Sequence, residues 1–243
     1  MASTTVRRIT FCLITCMLSA CAFQQPVITV APPAVAGITG QTRYWWYVNY
    51  SIKWPENTEP RLYIDLLLAD AVIEPILLQH RDSITYWRFH RRAVRDKAGH
   101  QFSFIFYADK TTARSIFQQV ENNEITKKML MMNILQQILT DNPDNNDLTN
   151  VNATSDKNWP VKLQNAWPAY IMGVSSTWLQ LIDQEVMDDK TGDDIASLLE
   201  IYKKADARIS KLWYEDGEHA FLHHLDAVFG YKPVLINREP LQF

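Results

Sequence analysis

The first regular pattern in the chain is an alternation of apolar and polar residues between Tyr44 and Trp54. Every second side chain in this run is apolar, and these are Trp46, Val48, Tyr50, Ile52 and Trp54. A period of two that combines aromatic and β-branched residues is typical of a strand with one buried face. Two further alternating runs, 85–95 and 101–107, flank a turn at 96–99 and predict a β-hairpin.

Between and after these strands, apolar residues recur at helical spacing. The predicted helices cover residues 60–80, a segment that begins after the N-cap Asp109, and residues 124–139, 159–187, 193–214 and 218–229. Pro75 and Pro168 are expected to kink or interrupt the helices that contain them.

These elements predict an α+β fold. The order strand, helix, strand, strand, helix is that of a ferredoxin-like or split βαβ unit, and a short apolar strand at 234–236 could complete its sheet. We therefore expect a single domain at 44–243, with a small antiparallel sheet in residues 44–140 and a largely helical C-terminal half at 159–243. The segment 141–158 is dense in Asn and Asp and is expected to form an exposed loop.

The N-terminus has a different pattern. The pair Arg7-Arg8 precedes an uncharged run from Ile9 to Leu18, which is too short to span a bilayer and is followed by small residues. These are the physical parts of a secretory signal. The run ends in the tetrapeptide Leu18-Ser19-Ala20-Cys21, which resembles the lipobox of bacterial lipoproteins, Leu-(Ser/Ala)-(Ala/Gly)-Cys, at all four positions.

This resemblance implies that residues 1–20 are a lipoprotein signal peptide that is removed. Cys21 would then be the first residue of the mature chain and carry acyl chains, such as palmitate, that anchor it in a membrane. Ala22 stands where an aspartate would favour the inner membrane, so the outer membrane, on its periplasmic side, is expected. The alternatives are an ordinary cleaved signal before a soluble periplasmic domain, or an uncleaved N-terminal anchor.

Residues 22–42 carry no charge and contain three prolines and two glycines. Prolines remove backbone donors, so this segment is not expected to form a helix or a central strand. We interpret residues 21–43 as a lipidated N-terminus with a flexible tether, whose reach as a coil is about 25 Å.

Charge and cysteine content restrict the possible functions. Removal of Arg7 and Arg8 with the signal leaves 22 basic against 27 acidic side chains, a formal charge of −5. This balance argues against nucleic acid as a partner, because phosphate binding needs cations. Cys12 and Cys16 also leave, so Cys21 alone remains, and no disulfide, catalytic thiol or cysteine metal site is expected.

The first candidate site is a basic strand. Alternation places Arg88, His90 and Arg92 on one face, opposite Trp87 and Phe89. Three such groups within about 14 Å can clamp a phosphate, a carboxylate or an acidic glycan. The alternative is a solvated sheet face, or one that pairs with acidic residues of a helix.

The second candidate is a histidine pair. His219 and His223 are four residues apart, so on a helix both can reach one metal ion, with Glu215 or Asp216 as an additional oxygen ligand. The metalloprotease motif is not matched, because Glu218 precedes the first histidine. In the alternative interpretation, the helix packs by its apolar stripe and the histidines face solvent.

No glycine-rich phosphate loop and no hydrolase elbow around Ser175 are present, so nucleotide binding and serine hydrolysis are not expected. We expect no cofactor, with a divalent metal as the alternative. The leading hypothesis is a membrane-anchored, non-enzymatic binding or assembly component whose partner is an envelope protein or an anionic glycan or lipid. The alternatives are a metal-assisted periplasmic hydrolase that uses His219 and His223, and a purely structural lipoprotein.

Overall fold

A computed structural model describes residues 41–187, 194–236 and 239–241. The predicted signal peptide, Cys21 and the tether up to residue 40 lie outside these residues and stay predictions. In the part of the chain that is described, no helix is both long and apolar enough to cross a membrane.

Four antiparallel strands form the central sheet, and the α+β fold is confirmed. In chain order they are β1 (Tyr44–Ile52), β2 (Tyr86–Ala93), β3 (His100–Ala108) and β4 (Leu135–Thr140). Their order across the sheet is β2-β3-β1-β4, and helices connect β1 to β2 and β3 to β4. This is the arrangement of a ferredoxin-like unit.

The predicted hairpin forms with the expected faces. Trp87 lies opposite Phe106, and Phe89 lies opposite Phe104 in the register of β2 and β3. Phe104 and Phe106 are fully buried and stack on one another at a centroid distance of 5.0 Å. The inner face of the hairpin is therefore largely aromatic.

The prediction of one helix over 124–139 was wrong. Helix α4 (Glu124–Met131) ends early, and Asn133 adopts the left-handed conformation, with φ of 55°. Asparagine tolerates this conformation, which ends a helix. The chain then forms β4 beside β1, with Leu135 buried towards the core and Leu139 exposed.

The last strand also differs from its prediction. Val234–Ile236 is a strand, β5, but it pairs with β6 (Glu239–Leu241) in a separate two-stranded sheet. The fourth position of the central sheet is taken by β4 instead.

The first connection is a helix with a widened turn. Helix α1 (Tyr63–Leu67) continues as a π-helical segment, Leu68–Ile73, and then as α2 (Glu74–His80). Pro75 lies in the first turn of α2, and just before it the Glu74 N–H donates to the carbonyl of Ala69, five residues back. The break thus falls just before the proline, which cannot donate a backbone bond.

The second connection begins with α3 (Lys110–Asn122), which leads into α4. Asp109 caps α3 as predicted, because its Oδ1 accepts the N–H groups of Thr111 and Thr112 at 2.8 and 3.0 Å. A side-chain acceptor here satisfies backbone donors that the helix cannot.

The C-terminal half is helical, as predicted. It contains α5 (Val161–Val186), α6 (Ile195–Gly217), a second π-helical segment, Glu218–His223, and α7 (His224–Val228). Pro168 does not interrupt α5, which continues through it.

Helix α5 covers the free edge of β2. The Ser175 hydroxyl accepts the backbone N–H of Phe89 at 3.1 Å and donates to the carbonyl of Ile171 at 2.8 Å. Trp178 packs edge-on against Phe89 at 5.5 Å. An edge strand that is covered in this way cannot pair with another chain.

A buried ionic cluster joins the first helix to the sheet. Asp65 of α1 and His100 of β3 have no exposed side-chain surface, and Arg91 of β2 is partly buried. One carboxylate oxygen of Asp65 is bonded to Arg91 Nε at 2.8 Å and the other to His100 Nε2 at 2.9 Å. Arg91 also lies over the Trp178 ring at 4.8 Å, so α5 is held to the same cluster.

We expect Asp65→Ala to lower the free energy of unfolding by about 3–5 kcal/mol, because Arg91 and His100 would keep buried polar groups without their carboxylate. Urea denaturation of the full chain measures this loss. Asp144→Ala is the matched control, since Asp144 is exposed where it pairs with Arg114, and such pairs contribute about 0–1 kcal/mol. A loss for Asp65→Ala no larger than for this control would contradict the role of the cluster.

Candidate anion-binding face

The outer face of the sheet carries the predicted basic residues in a regular grid. Across β2, β3 and β1, Arg88 aligns with Ile105 and Tyr47, His90 with Ser103 and Asn49, and Arg92 with Gln101 and Ser51. We name the polar members of this grid the arginine face: Arg88, His90, Arg92, Tyr47, Asn49, Ser51, Gln101 and Ser103. The structure thus places Arg88, His90 and Arg92 together on one face, where His90 is exposed and both arginines are partly exposed.

Neighbouring side chains of the arginine face are bonded to one another. Asn49 Nδ2 donates to Gln101 Oε1 at 3.3 Å and to Ser103 Oγ at 3.0 Å. Since Ser103 accepts here, its own hydroxyl proton is available to a further acceptor. The Asn49 Oδ1 atom is buried and accepts no bond from the described residues.

A loop closes one end of the outer face. The Trp45 ring donates through Nε1 to the carbonyls of Asn150 and Val151, and the Tyr107 hydroxyl donates to that of Thr149 at 2.6 Å. These contacts bury Trp45 and Tyr107, which together with Ile105 form a small apolar cluster. The segment 141–158 is mainly a loop, as predicted, but it includes a short 3-10 helix, Val151–Thr154, and His90 stays exposed beyond it.

The two arginines differ in their partners. Arg92 pairs with Asp96 in the hairpin turn, whereas Arg88 makes no ion pair with any described residue. The Nε atoms of both arginines are buried without a hydrogen-bond partner among those residues. Burial lowers the pKa of Arg88 from its ordinary value, and the guanidinium stays charged at neutral pH because arginine is not deprotonated in proteins.

The charges of the arginine face act on His90 and Tyr47. Desolvation lowers the pKa of His90, and the positive charges of Arg88 and Arg92 lower it further. Burial raises the pKa of Tyr47, which Arg88 partly offsets. At neutral pH the face therefore presents two guanidinium groups, a neutral imidazole and a neutral phenol.

The second predicted site lies far along the chain, in the second π-helical segment. The rings of His219 and His223 stack at a centroid distance of 5.3 Å, and His224 lies 5.5 Å from each of them. In the described residues, neither His224 nor any acidic side chain completes a three-ligand group with this pair in which the ligand atoms lie within 4.8 Å of one another. The predicted contribution of Glu215 or Asp216 is therefore not seen.

Sequence reasoning missed an acidic cluster. Asp70, Glu74 and Asp183 bring carboxylate oxygens within 4.8 Å of one another, and the buried Tyr202 hydroxyl donates to Asp70. Burial raises the pKa of Tyr202, and so do its bond to Asp70 and the neighbouring carboxylates. Asp70 and Glu74 are four residues apart, which was the one signal in the sequence.

No protein-family model matches the chain, and no curated protein or solved structure matches it. The functional assignment therefore depends on the residues and their geometry alone.

We predict that His90 makes the stability of the protein depend on pH. Because its pKa is lower in the folded chain, the unfolded chain binds more protons as the pH falls below about 6.5, and the free energy of unfolding decreases. His90→Gln should remove part of this slope between about pH 5 and 7, the range in which histidine titrates. Urea titrations at several pH values measure the free energy of unfolding of the variant and of the wild type. His80 is present in both proteins, so its own contribution to the slope cancels in the comparison.

NMR titration of the His90 ring tests the cause. Arg88→Gln should raise the pKa of His90 towards its ordinary value, whereas Arg114→Gln, a change at an exposed arginine paired with Asp144, should leave it in place. An unchanged His90 pKa in Arg88→Gln would show that Arg88 does not act on this ring.

Proposed function

We propose that this chain is a lipid-anchored component of a bacterial envelope that binds an anionic ligand through the arginine face and catalyses no reaction there. The observation that supports the proposal most directly is that Arg88, whose guanidinium is partly buried, makes no ion pair with any described residue. A desolvated cation is costly without a counter-charge, and a ligand carboxylate or phosphate would supply one.

The neighbours of Arg88 favour an extended anionic ligand over a small ion. Arg88 and Arg92 are four residues apart on one strand, which separates their Cα atoms by about 14 Å. Between them, the exposed His90 ring offers a further donor. A chain of carboxylates or phosphates, borne by an acidic segment of an envelope protein or by an anionic glycan or lipid, would span this distance.

The anchor is proposed from the sequence alone. Fatty chains on Cys21 would hold the mature chain at the periplasmic side of the outer membrane, and residues 22–42 would connect it to the folded part with a reach of about 25 Å as a flexible coil. Such an arrangement would let the arginine face reach ligands on the membrane surface or on neighbouring envelope proteins.

The alternative, a metal-assisted hydrolase at His219 and His223, has less support. A neighbouring carboxylate that acts as general base would support such a reaction in addition to the ligands. Carboxylates do converge in the described part of the chain, but at Asp70, Glu74 and Asp183 and not at the histidines.

We predict that the protein isolated from cell membranes begins at Cys21 and carries acyl chains on it. Intact-mass measurement should show loss of residues 1–20 and a gain in mass equal to the lipid. Cys21→Ser should release the chain from the membrane fraction, while Cys16→Ser, the matched change inside the signal, should leave anchoring unaltered. A free thiol at Cys21 in the isolated protein would contradict the anchor.

We predict that Arg88→Ala together with Arg92→Ala weakens binding of an anionic ligand at least tenfold, because each lost charge-assisted bond costs about 1.5–3 kcal/mol. The full chain in detergent is titrated with heparin and with a tetraglutamate peptide, which separate a sulfated glycan from a carboxylate segment. Formaldehyde crosslinking in intact cells follows the native partner in parallel.

The control for this binding experiment is Arg114→Ala, which removes an equally charged but distant and exposed arginine. Both variants should melt close to the wild type, since none of the three arginines is fully buried. Binding and crosslinks that respond equally to the double variant and to the control would refute a specific role for the arginine face.

A further inference from the structure

We propose that His219, His223 and His224 form a binding site for one tetrahedrally coordinating divalent transition metal, with Zn²⁺ as the first candidate. This site is separate from the arginine face and does not depend on the proposed function. It differs from the histidine pair expected from the sequence, because the structure adds a third imidazole.

The π-helical segment is what brings the third imidazole in. In an α-helix, with 100° per residue, His224 would point about 140° away from His219, on another face. A π-helix has roughly 4.4 residues per turn, so the fourth and fifth residues after His219 lie about 30° and 50° to either side of it. The segment Glu218–His223 is π-helical, and His224 follows it directly.

The spacing of the rings fits a tetrahedral ion. With a Zn–N distance of about 2.0–2.1 Å and a nitrogen about 1.1 Å from its ring centre, two imidazoles on such an ion have centres about 5.2 Å apart. The three observed centroid distances are 5.3, 5.5 and 5.5 Å. Three imidazoles at the vertices of one tetrahedral face would be related in this way.

Binding one ion requires each ring to rotate about its Cβ–Cγ axis, but the ring centres can stay where they are. His219 and His223 are stacked with 13° between their planes, and as the rings stand no choice of one nitrogen from each of the three histidines brings all three within 4.8 Å of one another. The Cβ–Cγ axis of histidine passes close to the ring centre, and rotation about it swings the nitrogens while the centre stays in place. His219 and His224 are exposed and His223 is half-buried, so solvent rather than packed side chains surrounds much of each ring.

Flanking residues of the same chain contact the π-helical segment on two sides. Phe221 stacks on Trp213 of α6 at 6.1 Å, and Gly217 allows this because a Cβ there would meet the Trp213 ring at 3.1 Å. After α7 the chain turns back through Gly230 and Tyr231, both at positive φ, and the Tyr231 ring reaches 5.7 Å from His223. The segment that carries the histidines thus contacts α6 on one side and the turn after α7 on the other.

The test uses the full chain, purified in detergent without a histidine tag and freed of metal by chelation. Zn²⁺ is titrated in competition with a chromophoric chelator, and Co²⁺ is added separately, because its absorption is strong in tetrahedral sites and weak in octahedral ones. We expect one Zn²⁺ per chain and a tetrahedral Co²⁺ spectrum. His224→Ala should weaken Zn²⁺ binding at least tenfold, since even changes outside the ligand set commonly cost 10–100-fold.

His90→Ala is the matched control, because it removes an exposed histidine outside the cluster and should leave metal affinity unchanged. The apo forms of all variants should melt with the wild type, which separates a lost ligand from a lost fold. The proposal is overturned by less than about one-tenth equivalent of bound Zn²⁺ at concentrations that saturate the chelator, by an octahedral Co²⁺ spectrum, or by equal affinity in His224→Ala and the wild type. None of these readouts involves the anionic ligand, so the two proposals fail independently.

Discussion

Asp65 is enclosed completely, and its two carboxylate oxygens are occupied by Arg91 of β2 and His100 of β3. Arg91 extends the constraint to the C-terminal half, since it lies over Trp178 of α5. Burial raises the pKa of Asp206 in α6, and the charge of Arg91 partly offsets this rise. Apolar contacts alone would tolerate small shifts of these helices, because they have no direction. A buried charge does not tolerate them, since any packing that separates it from its partners costs several kcal/mol. The cluster therefore favours one arrangement of the helices on the sheet.

Local sequence patterns were sufficient to predict the helices and strands in which a single periodicity dominates. β1 and the hairpin alternate strictly, and the aspartate before α3 supplies a cap, so these elements could be predicted from sequence. Residues 124–139 carry apolar side chains compatible with both periods, and the choice is made by the left-handed Asn133 and by the open edge of β1, which pairs with β4. The open edge of β1 is a feature of the tertiary structure, and a short apolar run in the sequence does not reveal it. The same strand displaces Val234–Ile236 from the sheet.

The candidate sites also divide into residues that one segment of sequence groups together and residues that only the tertiary structure brings together. Arg88, His90 and Arg92 follow from the pleat of a single strand, so alternation was enough to group them. Asp65, Arg91 and His100 come from three elements, and the signal was a charged residue at an apolar position of each; its meaning appears only when the three are placed together. His224 was missed for another reason, because helical spacing assumes 3.6 residues per turn and the segment before it is π-helical.

Arg88 and Arg91 are three residues apart on the same strand, and their surroundings give them different roles. Arg91 points inward, where it donates a hydrogen bond to Asp65 and interacts electrostatically with Asp206. Arg88 points outward beside a neutral phenol, and its Nε has no partner among the described residues although it is buried. A sheet face that only needed to be soluble would leave such a group hydrated or pair it with a carboxylate, as Arg92 is paired with Asp96. An arginine that is half desolvated and lacks a counter-ion is better suited to an anion that comes from another molecule.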